Sequence, residues 1–546
     1  MDEYHARISL RRQRPLQPLI QSSASSPWRP LRHRVFRDLL AANLVSDIGA
    51  FMQSVAAAWL MVSLGAGPLN VALIQTATTL PFFVLALPAG ALGDIVDRRR
   101  LILFTESWMV AAALILAVAT IFGVMSSWLL LALTCVLSIG DAVEAPSWRA
   151  LLPELVERDD LPAASALNGI EFNLARAVGP AIGGLLVAAV GAGIVFAVNA
   201  ASFLGVLMVI GRWTRPRTSR TAPAETLGGA TAAALRYVRY TPAIRTLLVR
   251  TGGAMFFAAA LMALLPTVAH EISGKPLGYG LLLGAFGAGA VLGALSLQRM
   301  RQRMSAENIV STALAVLGVT LVAAGALNSL AVLCAFMVAG GAGWMIFISM
   351  LNTMVQQLAP SWVRARVLAV FLLVFQGSMA LGSVVWGFTA EYGGVALALT
   401  IAGIGAAATI LLRFVAPLPS VDVDLSVWSH WPALRSVADL GYDLDDGPVL
   451  VTLEYHVDPQ QEPAFLEAVR RMGRLRRRDG ASQWGIFRDT ERPDHWLETF
   501  VVNSWAEHAR QHERAIAADR PMEEGVRRST RAAPVVRHFL YVSKGR

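Results

Sequence analysis

Apolar residues form twelve long runs between residues 36 and 417, separated by short polar segments. A transmembrane helix needs about 20 consecutive apolar residues, because it crosses a hydrocarbon layer about 30 Å thick. Each run reaches about that length, so the pattern predicts twelve transmembrane helices. Their predicted bounds are 38–64, 69–92, 101–124, 126–147, 163–190, 192–212, 246–270, 277–298, 307–327, 329–358, 363–390 and 393–416.

Arginines follow alternate spans. They cluster in the loops after the second, sixth and eighth spans, at 98–100, 212–239 and 299–303. Loops on the other side, such as 65–69 and 191–193, contain no Lys or Arg, and Lys275 is the exception to this pattern. Loops rich in Arg stay in the cytoplasm during membrane insertion. The charge pattern therefore predicts a helical protein of the inner-membrane type, with both termini in the cytoplasm.

The composition agrees with a membrane protein. A chain that is 55% apolar and 16% charged, with mean hydropathy +0.52, has too little polar surface for a soluble globule. The net charge of +9 is compatible with nucleic-acid binding. Because the basic residues cluster at the predicted membrane edges, where they contact anionic lipid, we expect the bilayer and no nucleic acid as a partner.

The twelve spans divide into two similar halves. Residues 90–92 and 293–295 both read Gly-Ala-Leu, and further glycines align at the same offset of 203 residues. Two six-helix halves, 36–211 and 246–417, joined by a cytoplasmic linker at 212–245, are typical of transporters with a substrate cavity between the halves. The sequence contains no G-x-x-x-x-G-K-S/T phosphate loop, so we expect an ion gradient to supply the energy.

Both ends of the chain differ from the spans. Residues 1–35 are rich in Arg, Ser, Gln and Pro and lack the apolar core of a signal peptide, which predicts a disordered basic cytoplasmic leader. After a linker at 418–447, residues 448–546 have the pattern of a small soluble domain in the cytoplasm. The predicted elements are strands 449–457, 482–487, 495–502 and 535–542, and helices 461–478 and 505–518.

The β-α-β-β-α-β order of these elements is the ferredoxin-like plan. The predicted fold class is therefore an all-α polytopic membrane protein, made of two six-helix halves, with a C-terminal α+β ferredoxin-like domain.

Ionisable side chains within a membrane are costly, so each is a functional candidate. Asp47 lies about 16 Å into the first span at about 1.5 Å per residue, and Arg176 lies at a comparable depth in the fifth. We predict that Asp47 takes up a proton when Arg176 or a cationic substrate leaves it, with Glu171 as a further candidate. A permanent Asp47–Arg176 ion pair is the structural alternative. Glu171, Asp141 and Glu144 are predicted closer to the inner surface and therefore less suited than Asp47 to carry the proton.

Four amide side chains in the spans are candidates for lining the cavity: Gln53, Gln75, Asn173 and Gln376. Each can instead hydrogen-bond to a neighbouring helix, and this alternative stays open.

The loop after the second span reads G-A-L-G-D-I-V-D-R-R-R from Gly90 to Arg100. It resembles the signature between spans two and three of the major facilitator superfamily. In that family the acidic residue meets an Arg at the end of the fourth span and forms a cytoplasmic latch. The resemblance implies that this latch consists of Gly90, Asp94, Arg98, Arg99 and Arg149.

The sequence departs from that family at several positions. Ile95 and Asp97 replace a basic residue and a glycine, and Leu297 occupies the Asp position in the second half. The fourth-span Arg of the family is replaced by Val136, so its role in proton coupling does not transfer. For the arginines of the loop, a purely topogenic role is the alternative.

The fifth span contains Gly179-Pro180-x-x-Gly183-Gly184. It resembles the helix-five element of exporters in this superfamily, which implies efflux. Close packing of Gly and a Pro bend are the structural alternative.

Segments such as 152–156 and 167–169 resemble the bacterial branch that includes enterobactin exporters and transmembrane secretion effectors. This resemblance implies proton-coupled export of a small organic molecule, such as a siderophore, an antibiotic or a drug-like compound, across the bacterial inner membrane. The substrate and protons are then the small-molecule partners.

The 496–500 strand resembles the dimeric domains of the antibiotic biosynthesis monooxygenase group. This resemblance implies dimerisation through the C-terminal domain. The alternative function is a membrane-tethered enzyme or scaffold whose C-terminal domain modifies or senses the cargo.

We predict a non-enzymatic function, no cofactor and no bound metal. His508 and His512 share a helix face with a spacing compatible with a metal, but exposed helix histidines without further ligands are more simply solvated.

Overall fold

The computed structural model describes residues 27–213, 227–428, 443 and 445–541. Within this part, 12 helices are long and apolar enough to cross a membrane, which confirms the predicted number of spans. The first half contains α1 (Arg34–Ser63), α2 (Pro68–Ile95), α3 (Arg98–Ile121), α4 (Ser127–Leu155), α5 (Leu161–Val190) and α6 (Ala192–Arg212). The second half, after a linker helix α7 (Leu227–Tyr240), contains α8 (Pro242–Ser273), α9 (Pro276–Arg303), α10 (Ala306–Ala326), α11 (Leu330–Leu358), α12 (Arg364–Gly393) and α13 (Val395–Ala408), which continues as short turns to Val415.

Some helices extend beyond the predicted bounds on the side of the arginine-rich loops, which we call the arginine-rich face. The fourth span was predicted to end at residue 147, whereas α4 ends at Leu155. Its last turns pack within the first half, where Leu151 is buried and Glu154 accepts a 2.7 Å hydrogen bond from Arg98. Hydropathy marks the hydrocarbon layer and misses helix that continues beyond it.

The two halves pack together through two helix pairs, α2 with α12 and α5 with α9. Several of their close contacts lie away from the arginine-rich face. A Cβ on Gly184 of α5 would be 2.6 Å from Gly280 Cα of α9, and Leu69 N at the start of α2 donates to Glu391 at the end of α12 over 3.1 Å. These contacts close the molecule at the face opposite the arginines.

The linker helix α7 lies within the predicted linker between the halves. Its Ala233, Ala234 and Tyr237 are buried, and Tyr237 Oη donates to Leu358 O at the end of α11 over 3.1 Å. Removal from water raises the pKa of Tyr237 to about 12. The helix packs on the arginine-rich face because only one side of it is apolar.

The C-terminal domain contains β1 (Val449–His456), α14 (Glu462–Asp479), β2 (Gln483–Arg488), β3 (His495–Val502), α15 (Trp505–Arg514), α16 (Arg520–Arg528) and β4 (Val535–Leu540). The antiparallel sheet has the order β2-β3-β1-β4, which confirms the ferredoxin-like prediction. The predicted helix 505–518 ends at Arg514, because the chain leaves the helical conformation at Ala515 and forms a bridge between Ile516 and Val427; α16 follows beyond the predicted bounds.

Two regions named in the sequence analysis lie largely outside the described residues. These are the predicted leader, of which only residues 27–35 are described, and the middle of the linker between the last span and the C-terminal domain.

Candidate functional site

A cavity of about 760 Å³ lies between the two halves. Its lining comes from α1 to α6 in the first half and from α8, α9, α11 and α12 in the second. Trp148, Arg149 and Asn168 line it near the ends of α4 and α5 that carry the arginine-rich face. The cavity therefore extends toward that face, while the contacts of Gly184 and Glu391 close the opposite one.

Five acidic residues line the cavity, and all belong to the first half: Asp47, Glu106, Asp141, Glu144 and Glu171. Three of them are buried, with Glu106 only 4% and Glu144 and Glu171 each 7% exposed. Carboxylates at this depth are expensive unless they are protonated or paired with a cation. Only two basic residues, Arg149 and Arg176, are among the described residues of the lining.

Asp47 of α1 and Glu171 of α5 form a carboxyl pair. Both line the cavity, and their side chains are neighbours. A hydrogen bond between two carboxyl groups requires one proton, because two carboxylates offer only acceptors. Two carboxyl groups in this arrangement can hold one proton between them.

Arg176 lines the same cavity, and the ion pairs of the described residues do not include Asp47 with Arg176, which was the structural alternative. The two residues were predicted at a comparable depth, but depth along a span does not specify how the two helices are rotated. Asp47 is turned toward Glu171 on α5 instead.

Two buried carboxylate oxygens in the cavity wall have no hydrogen-bond partner among the described residues, Glu106 Oε2 and Glu171 Oε1. By contrast, Glu144 Oε2 accepts a 2.5 Å hydrogen bond from Thr105 Oγ1. Glu106 is not among the residues predicted from the sequence, although an acidic residue within an apolar span is itself a signal of function. The unpartnered oxygens provide acceptors for a proton or for a cationic ligand.

The wall formed by the second half is aromatic. The rings of Phe286 and Trp344 are 5.9 Å apart and those of Trp344 and Phe375 are 6.3 Å apart, in edge-to-face arrangements. Trp344 Nε1 is buried without a partner among the described residues. The cavity therefore has an acidic wall facing an aromatic one, a combination that suits a ligand with both a positive charge and apolar groups.

Two of the four amide candidates line the cavity and two do not. Gln75 and Gln376 are part of the lining, one from each half. Gln53 accepts a 2.5 Å hydrogen bond from Asn199 of α6, and Asn173 donates to Gly169 O within its own helix over 2.7 Å. Gln53 thus takes part in the helix–helix hydrogen bonding that was the alternative, whereas Asn173 bonds within its own helix.

The glycines of the helix-five motif are packing positions. A Cβ on Gly179 or Gly183 would be 2.6 Å from Phe51 Cβ or 2.8 Å from Met52 Cα, both on α1. Gly184 faces Gly280 of the other half. Pro180 of the same motif lines the cavity. The motif brings α5 close to α1 on one side and close to α9 on the other.

The predicted latch is described only in part. Gly90 and Asp94 belong to α2, but their side chains lie outside the described residues. Arg98 donates to Glu154 of α4, and Arg99 donates to Ile210 O at the end of α6 over 3.0 Å. Arg149 lines the cavity. Arg98 and Arg99 therefore connect the ends of helices within the first half.

The C-terminal domain contacts the membrane part through α15. Glu507 pairs with Arg236 of α7 at 3.2 Å and with Arg514 of its own helix at 2.7 Å. The Arg514 guanidinium stacks over the ring of Trp362, between α11 and α12, at 4.5 Å. The domain is thus docked on the linker helix and the second half.

Two six-helix halves that enclose a charged cavity define a transporter of the major facilitator class. The chain belongs to the transmembrane secretion effector family of this class, whose family model matches residues 25–545. This match confirms the branch that the segments of the first half indicated. The resemblance of the C-terminal domain to the monooxygenase group stays a prediction.

Named relatives are transporters too. Multidrug efflux pump Tap of Mycolicibacterium fortuitum is 30% identical over 397 residues, which cover 69% of this chain and 95% of the relative. Enterobactin exporter EntS of Salmonella choleraesuis is 26% identical over 266 residues, covering 48% and 63%. Since the family and these relatives are transporters and not enzymes, the prediction of a non-enzymatic function is confirmed.

Solved structures share the fold. The nucleoside transporter NupG has a TM-score of 0.56 at 12% identity and covers 70% of this chain and 98% of that one. A bacterial homologue of the human lysosomal transporter Spinster, inward-facing and unoccupied, has a TM-score of 0.55 at 15% identity, with 71% and 96% covered. At these identities the likeness concerns the fold alone.

Proposed function

We propose that this transporter exports a small amphipathic organic cation in exchange for protons. The observation that carries this proposal is the cavity itself, in which five acidic residues of one half face the aromatic wall of the other. An organic cation is held by carboxylates through charge and by aromatic rings through cation–π and apolar contact. The relatives named as a multidrug efflux pump and an enterobactin exporter support the outward direction.

Proton coupling follows from the carboxyl pair of Asp47 and Glu171. With the cavity empty, we expect these two neighbouring carboxyl groups to hold one proton between them. A bound cation replaces this proton, because a positive charge within a few ångströms of a carboxyl group favours its ionised form. Proton and substrate thus exclude each other from one place, which is the requirement for exchange. The guanidinium of Arg176, in the same lining, partly neutralises the remaining negative charge of the acidic wall.

Reconstituted liposomes provide the test. A pH-sensitive dye inside the vesicles reports proton movement when a tetraphenylphosphonium-type cation is added, and a siderophore and an anionic antibiotic serve as other cargo classes. We expect proton flux with the cation and loss of this flux in Asp47→Asn and Glu171→Gln. Asp38→Asn is the matched control, since Asp38 is on the same helix but pairs with Arg37 outside the cavity. Flux that is equal in all variants would overturn the coupling role of the pair.

We also infer that the arginine-rich face lies in the cytoplasm, on the basis of the distribution of arginines between alternate loops. In this orientation the cavity opens to the cytoplasm and the C-terminal domain lies there. In a background with Cys135 and Cys334 replaced by Ser, an impermeant maleimide added to intact cells should label Ser329→Cys at the start of α11. It should leave Ser305→Cys, at the start of α10, unlabelled; the reverse pattern would refute the orientation.

We infer further that two C-terminal domains pair sheet to sheet. The sheet face away from the helices exposes large apolar side chains, with Phe487 56% and Phe539 50% exposed. Val535, Leu497 and Leu450 of the same face are between 37% and 48% exposed. An exposed apolar surface of this kind on a small domain typically marks an interface. A second copy of the chain, which presents the identical face, is the occupant that we propose.

A further inference from the structure

Three histidines meet at one edge of the C-terminal domain. His508 and His512 are one turn apart on α15, and His538 is on β4, where it pairs with Val451 of β1. The ring centroid of His508 is 4.9 Å from that of His512 and 4.8 Å from that of His538. One ring nitrogen of each histidine lies within 4.8 Å of the other two. The fold, rather than helix periodicity alone, brings the third side chain to the other two.

His508 is oriented as a ligand would be. It is only 2% exposed, which contradicts the expectation that the helix histidines are solvated. Its Nδ1 is 3.1 Å from Gln511 Oε1, so with this acceptor Nδ1 carries the proton and donates it. Nε2 is then left with a lone pair, and this atom is buried without a hydrogen-bond partner among the described residues. A histidine that is fixed through one ring nitrogen and free at the other is the usual form of a metal-binding imidazole.

We propose that His508, His512 and His538 form a binding site for a divalent transition-metal ion of the Zn²⁺ class. Imidazole nitrogens suit Zn²⁺, Cu²⁺ and Ni²⁺, whereas Mg²⁺ and Ca²⁺ prefer oxygen ligands. Three protein ligands leave one tetrahedral position for water or another donor. The site departs from the sequence-based expectation that no metal is bound.

A second group of ligating residues in the domain lacks this orientation. Glu454, His456 and His495 also bring their ligand atoms together on the outer face of the sheet. There, His495 Nδ1 already hydrogen-bonds with Glu454 Oε1 at 3.2 Å. Because Glu454 and His495 already bind each other, this group serves as an internal control for the proposed site.

The proposed site is next to the contacts that hold the domain on the membrane part. Glu507 and Arg514 of the same helix contact Arg236 of α7 and the ring of Trp362. Zn²⁺ holds its ligands at about 2.0–2.1 Å, so a bound ion ties α15 to β4 more tightly than these side chains do without it. Metal binding therefore stabilises the helix through which the C-terminal domain meets the transporter. This consequence is independent of the cargo and of proton coupling.

The test uses the full-length protein, purified with a tag that contains no histidine and stripped with a chelator. Zn²⁺ is titrated against a fluorescent zinc indicator, and Co²⁺ is added separately to record its visible absorption, which is intense for tetrahedral coordination. We expect one equivalent of Zn²⁺ per chain. His512→Gln and His538→Gln should each weaken binding about tenfold or more, whereas His456→Gln and His495→Gln should leave it unchanged within error.

A second readout guards against misfolding of a variant. Hydrogen exchange of α15 should slow in the native protein when Zn²⁺ is added and should show no such change in His512→Gln, with equal exchange of α14 in both proteins. The proposal is overturned if no stoichiometric Zn²⁺ binds. It is equally overturned if binding survives in His512→Gln and His538→Gln, or if it is lost in His456→Gln.

Discussion

A substitution at Glu106 changes the charge of the cavity wall at a single position. Its Oε2 is buried in the acidic wall without a hydrogen-bond partner among the described residues, so it is available to bind a cation. Glu106→Gln keeps the shape and removes the charge. We expect the affinity for an organic cation to fall by about tenfold, or about 1.4 kcal/mol, while a neutral analogue of equal size binds unchanged.

Isothermal titration of the purified protein with the cation and with its neutral analogue measures both affinities. Asp38→Asn, outside the cavity, controls for the loss of one negative charge from the first half. An equal loss of affinity for the two ligands would show that Glu106 shapes the cavity and does not recognise charge.

At the residue scale, the sequence indicates which side chains are costly in a membrane but not where they point. Asp47 and Glu171 were recognised from their position in apolar spans, and both line the cavity. Gln53 and Gln75 are equally polar and equally within spans, yet only Gln75 lines the cavity. Helix rotation decides between them, and it depends on packing partners such as Asn199 that lie 146 residues away.

At the scale of helices, Gly184 determines how closely α5 and α9 approach. A Cβ at this position would lie 2.6 Å from Gly280 Cα and 3.2 Å from Pro276 O, and backbone atoms cannot rotate away. Gly184→Ala should therefore force the two halves apart at the face opposite the arginines. We expect the population to shift toward conformations that are open at that face.

Pulsed EPR distances between spin labels on the ends of α5 and α9 report this shift. Gly169→Ala is the matched control, because it adds the same methyl group to the same helix where no atom lies within 4 Å. Unchanged distances in Gly184→Ala would mean that this contact does not limit the closed state.

Helices and strands were predictable as elements because their periodicities are local. The number of spans and the order of the C-terminal strands both follow from runs and alternation of apolar residues. The ends of α4 and the break between α15 and α16 do not follow, since they depend on Arg98 and on Val427, far away in the chain. Likewise, Arg478 at the end of α14 is buried against Asp479 and Asp519, which its position in a run of arginines does not indicate.

At the scale of the whole molecule, Glu507 links the C-terminal domain to the transporter. It is 11% exposed and pairs with both Arg236 and Arg514. Removing one partner from a buried ion pair costs about 3–5 kcal/mol. Glu507→Gln should therefore loosen the domain and speed proteolysis between the last span and β1.

Limited proteolysis of the full chain measures this effect directly. Glu513→Gln, which changes an exposed residue of the same helix, should be cleaved at the native rate. Equal rates for both variants would contradict a role of Glu507 in docking.

The proposed pairing of two chains makes a further prediction at this scale. Phe487→Asp together with Phe539→Asp places charge in the exposed sheet face, and we expect it to convert a dimer to a monomer in detergent, as measured by light scattering. Met522→Asp, exposed on α16, should leave the mass unchanged. A native protein that is already monomeric would refute the pairing.

The central claim is that proton and cation compete for the pair of Asp47 and Glu171. The most direct test is to mix the purified transporter with a tetraphenylphosphonium-type cation in weakly buffered detergent solution and to measure proton release. The account predicts release of about one proton per bound cation from the native protein. It predicts no release from the Asp47→Asn, Glu171→Gln double variant and native release from Asp38→Asn. Cation binding without proton release from the native protein would contradict the account.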